Sequence, residues 1–180
     1  AQICAVGIPV DILPGQDDPT TANWPQRPLH SSLLKYAGTF RDQLVYKTPN
    51  PYASGLGDKY VLGTDGRNVT DLVQQICQKD ETPFSELQAL DKTLRWGHIC
   101  PNGPDTVPTV PHADSDPMVI SHAPSLYFAG NCSKFATNLV SHQATPTRLV
   151  CIPKFVHSGE VALVNLETLE CDLIRFDGNV

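Results

Sequence analysis

Asp17 and Asp18, Asp65, and Asn131 with Ser133 are the residues of this chain whose types and placement could support chemistry. Each set follows an apolar run closed by glycine. Ala5 to Leu13 precedes Pro14-Gly15, Val61-Leu62-Gly63 precedes Asp65-Gly66, and Tyr127 to Gly130 precedes Asn131-Cys132-Ser133. The ends of strands in α/β sheets are where ligand groups collect. Carboxylates gathered there are hard oxygen donors, and a pair of metal ions held by them would activate water and clamp a phosphoryl group. The donor set is thin, however. None of the three loops carries a His, Asn131 is a weak ligand, and Cys132 and Ser133 do not suit a hard cation. His98, His122 and His142 lie outside these loops, and each reads as a cap or turn hydrogen-bonding residue. Asp17-Asp18-Pro19 reads in the first place as a turn-forming cluster. The chain has no Gly-rich phosphate loop and no Gly-x-Ser-x-Gly elbow.

The elements that must position these residues are read from periodicity. Ala5 to Leu13 predicts a buried strand stopped by Pro14-Gly15. Leu29 to Tyr36 predicts a short helix, Leu44 to Tyr46 a short strand, and Gly55 to Asp58 a turn into the strand Lys59 to Gly63. Val69, Leu72, Val73, Ile76 and Cys77 share one helical face, with Asn68 as N-cap and Asp71 in the first turn. A second helix is expected from Thr82-Pro83, with Phe84, Leu87, Leu90 and Leu94 as its apolar face and an end near Trp96-Gly97. The Pro- and Asp-rich stretch from Cys100 to Pro117 reads as a long loop. A strand over Ser125 to Ala129 follows. Arg148 to Ile152, Val161 to Leu166 and Asp172 to Phe176 predict an antiparallel meander. The sum is a layered α/β or mixed α+β domain.

Thirteen Lys and Arg stand against 19 Asp and Glu, a net charge of -6. That balance argues against strong nucleic-acid binding by this chain, because such affinity comes from basic residues. No apolar run reaches the ~18 residues of a membrane span. The chain opens at Ala1, which implies a processed chain or a fragment, and no signal peptide is visible. The six cysteines are scattered with no Cys-x-x-Cys pair, and they read as reduced, buried thiols rather than a zinc or redox motif. Two glycosylation sequons, at Asn68 and Asn131, read as local structure.

Seven segments, in order, carry a resemblance. They include Pro9 to Gly15 with Asp18-Pro19-Thr20, Pro25 to His30, Thr48 to Tyr52, Leu62 to Asp71, Thr93 to Pro101, Tyr127 to Asn131, and Val161 to Leu166. Together they resemble the C-terminal part of the small (B) subunits of DNA polymerase delta. The resemblance implies the C-terminal half of a calcineurin-like metallophosphoesterase β-sandwich flanked by helices, spanning residues 1–180. The upstream half and an OB-fold would lie outside the chain. It also implies that Asp17 replaces the His of a Pro-Gly-Asn-His-Asp motif and that Asp65 stands where a His-Gly would be. Asn131 and Ser133 replace the two His of Gly-His-x-His, and Asp18 alone keeps its ligand type. A degenerate site without metal, cofactor or catalysis is therefore expected. The implied role is a nuclear, non-catalytic scaffold in DNA replication and repair. It would join the polymerase delta catalytic subunit, through that subunit's C-terminal region, to a further accessory subunit. The competing readings are a metal-dependent phosphodiesterase using Asp17, Asp18 and Asp65, and an extracellular module glycosylated at Asn68 with paired cysteines. A half-domain is further expected to expose edge strands and apolar surface.

Overall fold

The computed structural model describes residues 2–35, 44–77, 83–112 and 114–176. Its centre is a five-stranded mixed sheet in the order β3-β4-β5-β7-β6, formed by Tyr52–Leu56, Lys59–Thr64, Leu126–Cys132, Thr145–Pro153 and Ala136–His142 respectively. β4, β5 and β7 run parallel in the middle, and the hairpins β3–β4 and β6–β7 place an antiparallel strand at each edge. The middle strands are largely apolar because both faces of the sheet are covered. Side chains alternate between the faces. Leu62, Tyr127, Ala129, Leu149 and Cys151 point into one core, while Val61, Leu126, Val150 and Ile152 point into the other.

Two helices seal the first face. The helix α2 (Arg67–Cys77) contributes Val69 and Leu72, and α3 (Glu86–Trp96) contributes Ala89, Leu90 and Leu94, all buried with Trp24 and Val107. The 3.6-residue apolar period of both segments is what makes them helices with one inward stripe. Gly97, with φ 69°, ends α3 in the left-handed conformation that glycine tolerates. The second face is covered mainly by the hairpin of β8 (Glu160–Val164) and β9 (Cys171–Arg175), through Ala162, Val164 and Cys171. A parallel pair, β1 (Val10–Ile12) with β2 (Val45–Lys47), completes the strands. The architecture is mixed α/β with few helices.

Several expectations change. The predicted strand from Ala5 to Leu13 is reduced to Val10–Ile12, half-buried rather than buried. Gln2–Ala5 forms a helical turn (α1), Gly7 adopts φ 82°, and Pro9 follows, so the extended backbone begins only afterwards. The helix expected over Leu29 to Tyr36 is a single 3-10 turn at Ser31–Leu33, and Tyr36 lies outside the described residues. Gly55 to Asp58 is less turn than predicted, since β3 runs through Leu56. Asn68 does not cap α2. The helix starts one residue earlier, where the Arg67 N–H donates to Asp65 Oδ1 (3.2 Å), and Asp71 falls in the second turn. α3 begins at Glu86, not at Pro83. Ser85 is its N-cap, the Gln88 N–H donating to Ser85 Oγ (3.2 Å) and the Ser85 N–H to Gln88 Oε1 (2.8 Å). That reciprocal pair satisfies two helix-end donors, which Pro83 cannot do. Thr82 lies outside the described residues.

The predicted meander also divides. β7 lies inside the main sheet, parallel to β5, and a short helix α4 (Phe155–Ser158) separates it from the β8–β9 hairpin. β6 was not expected as a strand. Its sequence, Ala-Thr-Asn-Leu-Val-Ser-His, is polar because it is an edge, and His142 stands at its end rather than in a loop. Among the described cysteines, Cys4, Cys100, Cys132, Cys151 and Cys171 are free, and the first four are buried. The side chain of Cys77 lies outside the described residues. No helix among the described residues is long and apolar enough to cross a membrane.

Candidate functional site

At the C-terminal ends of β4 and β5 the loops enclose a cleft of about 520 Å³ whose lining includes Asp17, Asp18, Asp65, Asp71, Arg67 and Lys154. Gly15, Gln16 and Asn131 also line it, so four of the five site residues read from the sequence meet here. Parallel β4 and β5 end side by side, which carries Asp65 and Asn131 to the same rim. The loop after β1 brings Asp17 and Asp18 across from them.

Ser133 does not join them. β5 continues through Cys132 with a bulge between Ala129 and Cys132, and Asn131 takes φ 50° within it. The strand therefore carries Ser133 past the cleft to the N-terminus of α3, where its N–H and hydroxyl both donate to the Glu86 carboxylate (2.8 and 2.7 Å to Oε2).

What holds the cleft together is a relay of side-chain amides. Gln26 Nε2 donates to the Gly15 carbonyl (3.3 Å), Asn50 Nδ2 donates to Gln26 Oε1 (2.7 Å), and the Asp65 N–H donates to Asn50 Oδ1 (3.3 Å). Asn131 Nδ2 then donates to the Asp65 carbonyl (2.9 Å). Gln26 and Asn50 are buried, and their backbones also exchange hydrogen bonds (2.7 and 3.2 Å). Both satisfied amides rigidify three loops at once. Sequence reasoning gave neither residue a role. The one available signal was that both sit in short Pro-flanked segments, Pro25-Gln26 and Pro49-Asn50-Pro51. Gly66 makes the same close approach possible from the other side. At φ 91°, a Cβ there would lie 1.8 Å from the Gly130 carbonyl oxygen.

The four carboxylates differ in what engages them. Asp18 Oδ2 accepts the Gly15 N–H (2.7 Å). Asp71 Oδ2 accepts from Asn102 Nδ2 (2.7 Å) and Thr106 Oγ1 (2.5 Å), so it pins the Cys100–Pro117 loop onto α2. The backbone of Trp24 clips the same loop further on, its main-chain N–H donating to the Pro108 carbonyl and its carbonyl accepting the Val110 N–H, both at 2.8 Å. Asp17 is exposed, and no described residue bonds to it. Asp65 is only 5% exposed, and its Oδ2 is buried with no hydrogen-bond partner among the described residues. Burial pushes the Asp65 carboxyl above its ordinary value, against the opposing pull of the Asn50 amide and the Arg67 N–H.

A pair of metal ions does not fit these residues. Asn131 offers only a neutral amide oxygen, its Nδ2 donating to the Asp65 carbonyl, and Ser133 is turned to Glu86. Among the described residues, no group of three His, Cys, Asp or Glu is placed to hold a metal. The imidazoles are elsewhere. His98 Nε2 pairs with Asp116 Oδ2 (2.9 Å) and its Nδ1 accepts the Cys100 N–H (3.2 Å), the turn-bonding role expected of it. His122 precedes β5, and neither it nor His142 lines the cleft. The sequon at Asn68 is closed to glycosylation, since the side chain is buried, accepting from Thr64 Oγ1 (3.0 Å) and donating to the Ile99 carbonyl (2.6 Å). Burial raises the Cys100 thiol to about 11, which keeps it protonated and unreactive.

Known proteins match this chain over nearly all of its length. It is 40% identical over 173 residues to DNA polymerase delta subunit 2 of Drosophila melanogaster, and 36% identical over 170 residues to the DNA polymerase delta small subunit of Oryza sativa subsp. japonica. The small subunit of Saccharomyces cerevisiae is 28% identical over 193 residues. These matches cover 94 to 96% of this chain but only 38 to 40% of the relatives, so the chain spans about two fifths of their length. The family model for the B subunits of DNA polymerases alpha and epsilon matches residues 1–137. The chain belongs to this DNA polymerase alpha/epsilon B-subunit family.

Proposed function

We propose that this chain is the C-terminal part of a non-catalytic accessory subunit of DNA polymerase delta, acting in the nucleus in DNA replication and repair. In this reading the cleft is a degenerate phosphoesterase centre. Asp17, Asp65, Asn131 and Ser133 stand where metal-binding imidazoles would be, and Asp18 is the surviving ligand type. The observation that carries it is the fate of the two positions after β5: Asn131 donates its amide N–H to the Asp65 carbonyl at 2.9 Å, and Ser133 is turned out of the cleft onto Glu86. A site rebuilt as structural hydrogen bonds suits a protein that positions other subunits. The expected partners are the catalytic subunit, through its C-terminal region, and a further accessory subunit.

The same reading makes residues 1–180 the second half of a calcineurin-like β-sandwich. The short parallel pair β1–β2 supports it, because two-stranded parallel sheets rarely stand alone. Exposed Ile3, Val6, Ile8 and Tyr46 around that pair suit cover by the rest of a longer chain. The experiment is affinity purification of the full-length protein from nuclei, with mass spectrometry. A B-family polymerase catalytic subunit at near-stoichiometric yield is expected. Its absence would overturn the proposal, and manganese-dependent phosphodiesterase turnover abolished by Asp18→Ala would replace it with an enzyme.

A further inference from the structure

The cleft retains a charge pattern that the amide relay leaves unexplained. Asp17, Asp18, Asp65 and Asp71 line it against Arg67 and Lys154 alone, so its lining carries an excess of negative charge. Arg67 is partly spent outside, with Nη1 donating to the Ala22 carbonyl (3.3 Å). Asp17 has no described partner, and Asp65 holds a buried oxygen that nothing described satisfies. An unpaired buried carboxylate oxygen is costly and marks a place where a donor is missing.

We propose that the cleft is a socket for a basic side chain, an arginine or lysine, presented by a protein partner. Two features favour this occupant over a metal ion. A hard cation needs several oxygens converging at ~2.0–2.6 Å, whereas these carboxylates are spread around about 520 Å³ and three metal-ligand residues nowhere group together among those described. The remaining lining, Gln16, Gln74 and the hydroxyls of Thr70 and Thr106, offers the scattered acceptors that a planar guanidinium with five donors can use together. Charge complementarity of this kind sets orientation and partner choice. The inference rests on the accessory-subunit reading and names what its degenerate site would be used for.

The test uses the full-length protein, with the purified polymerase delta catalytic subunit and the further accessory subunit each as analyte in surface plasmon resonance across a salt series. Asp17→Lys is the main variant, because Asp17 is exposed and no described residue depends on it. Roughly tenfold weaker binding of one subunit is expected, with a shallower salt dependence. Lys154→Gln removes a competing positive charge from the lining and is expected to tighten the same interaction severalfold, a gain that loss of structure cannot produce. If the wild type binds neither subunit, the accessory-subunit reading fails and this inference with it. If the wild type binds and both variants bind equally well, the inference alone is overturned. It is equally overturned if titration with manganese chloride shows a bound ion whose loss in Asp17→Lys accounts for the weaker binding.

Discussion

The two faces of the central sheet are built from alternate residues of the same strands, yet they are closed in different ways. On one face Tyr127, Leu149 and Ala129 meet two amphipathic helices, and Leu90, Leu94 and Val69 fill the space with no exposure. On the other, Val61 and Val150 are buried, but the hairpin above them keeps Leu163, Leu173 and Ile174 open to solvent. A helix offers a continuous stripe about 100° wide, whereas a two-stranded hairpin covers only what lies beneath it. The first face is therefore a finished core, and the second depends more on its edges.

The sharpest way to break this contrast is Leu90→Ala. The side chain is fully buried between α3 and the sheet, so truncation should destabilise the chain by about 3 kcal/mol in urea unfolding. A cost under about 1 kcal/mol would mean that the helical face is loosely packed. Gly66→Ala comes next and tests the seam where the two faces meet the cleft. A Cβ at φ 91° and 1.8 Å from the Gly130 oxygen forces the β4 and β5 ends apart, at about 2 to 3 kcal/mol. On the hairpin side, Val150→Ala should cost about 1.5 kcal/mol, from the two methyl groups removed and a surround freer to relax. Equality with Leu90→Ala after allowing for size would erase the distinction between the faces.

How much was legible in the sequence follows the same division. α2 and α3 were readable because Val69, Leu72, Leu90 and Leu94 recur with helical period, and only their first residues shifted, where Asp65 and Ser85 rather than Asn68 and Thr82-Pro83 govern the start. β4, β5 and β7 were readable as apolar runs, but nothing local says that β7 lies parallel to β5, since register and direction come from tertiary contacts. β6 escaped because an edge strand is polar for good reason. At the cleft, strand-end Asp17, Asp18, Asp65 and Asn131 were found from the placement of turns. Ser133 lies away from the cleft because of a bulge that is invisible in composition, and Gln26 and Asn50 were missed because an amide's importance lies in its partners.

Asp65→Asn tests the cleft's contribution to stability. Asparagine keeps an oxygen for the Arg67 N–H and replaces an ionised oxygen that has no partner, so the isolated chain should gain on the order of 1 kcal/mol at pH 7. The sign with pH follows from burial. The folded carboxyl binds its proton more tightly than the unfolded one, so the wild type loses stability as pH rises from the ordinary Asp range through the raised value. The variant should lack that slope, and identical pH profiles would show that Asp65 is solvated.

Asp116 should behave in the opposite sense and with the smallest effect. The Met118 N–H, at 2.8 Å from Oδ1, and His98 behind it hold the carboxyl below its ordinary value. An acid depressed by folding contributes stability that is complete above its unfolded value of about 4 and is lost as pH falls through the folded one. The pair is partly exposed, its His98 side chain at 28% and Asp116 at 51%, so screening keeps the contribution slight and salt-sensitive. Thermal unfolding of wild type and Asp116→Asn between about pH 3 and 7 should therefore converge at the acid end and separate modestly near neutrality. The Asp65→Asn curves should run the other way, with their widest separation near neutrality in favour of the variant. If both carboxylates titrated with the same sign, the buried cleft and the exposed loop would be electrostatically alike, and the unpaired oxygen of Asp65 would have found a donor.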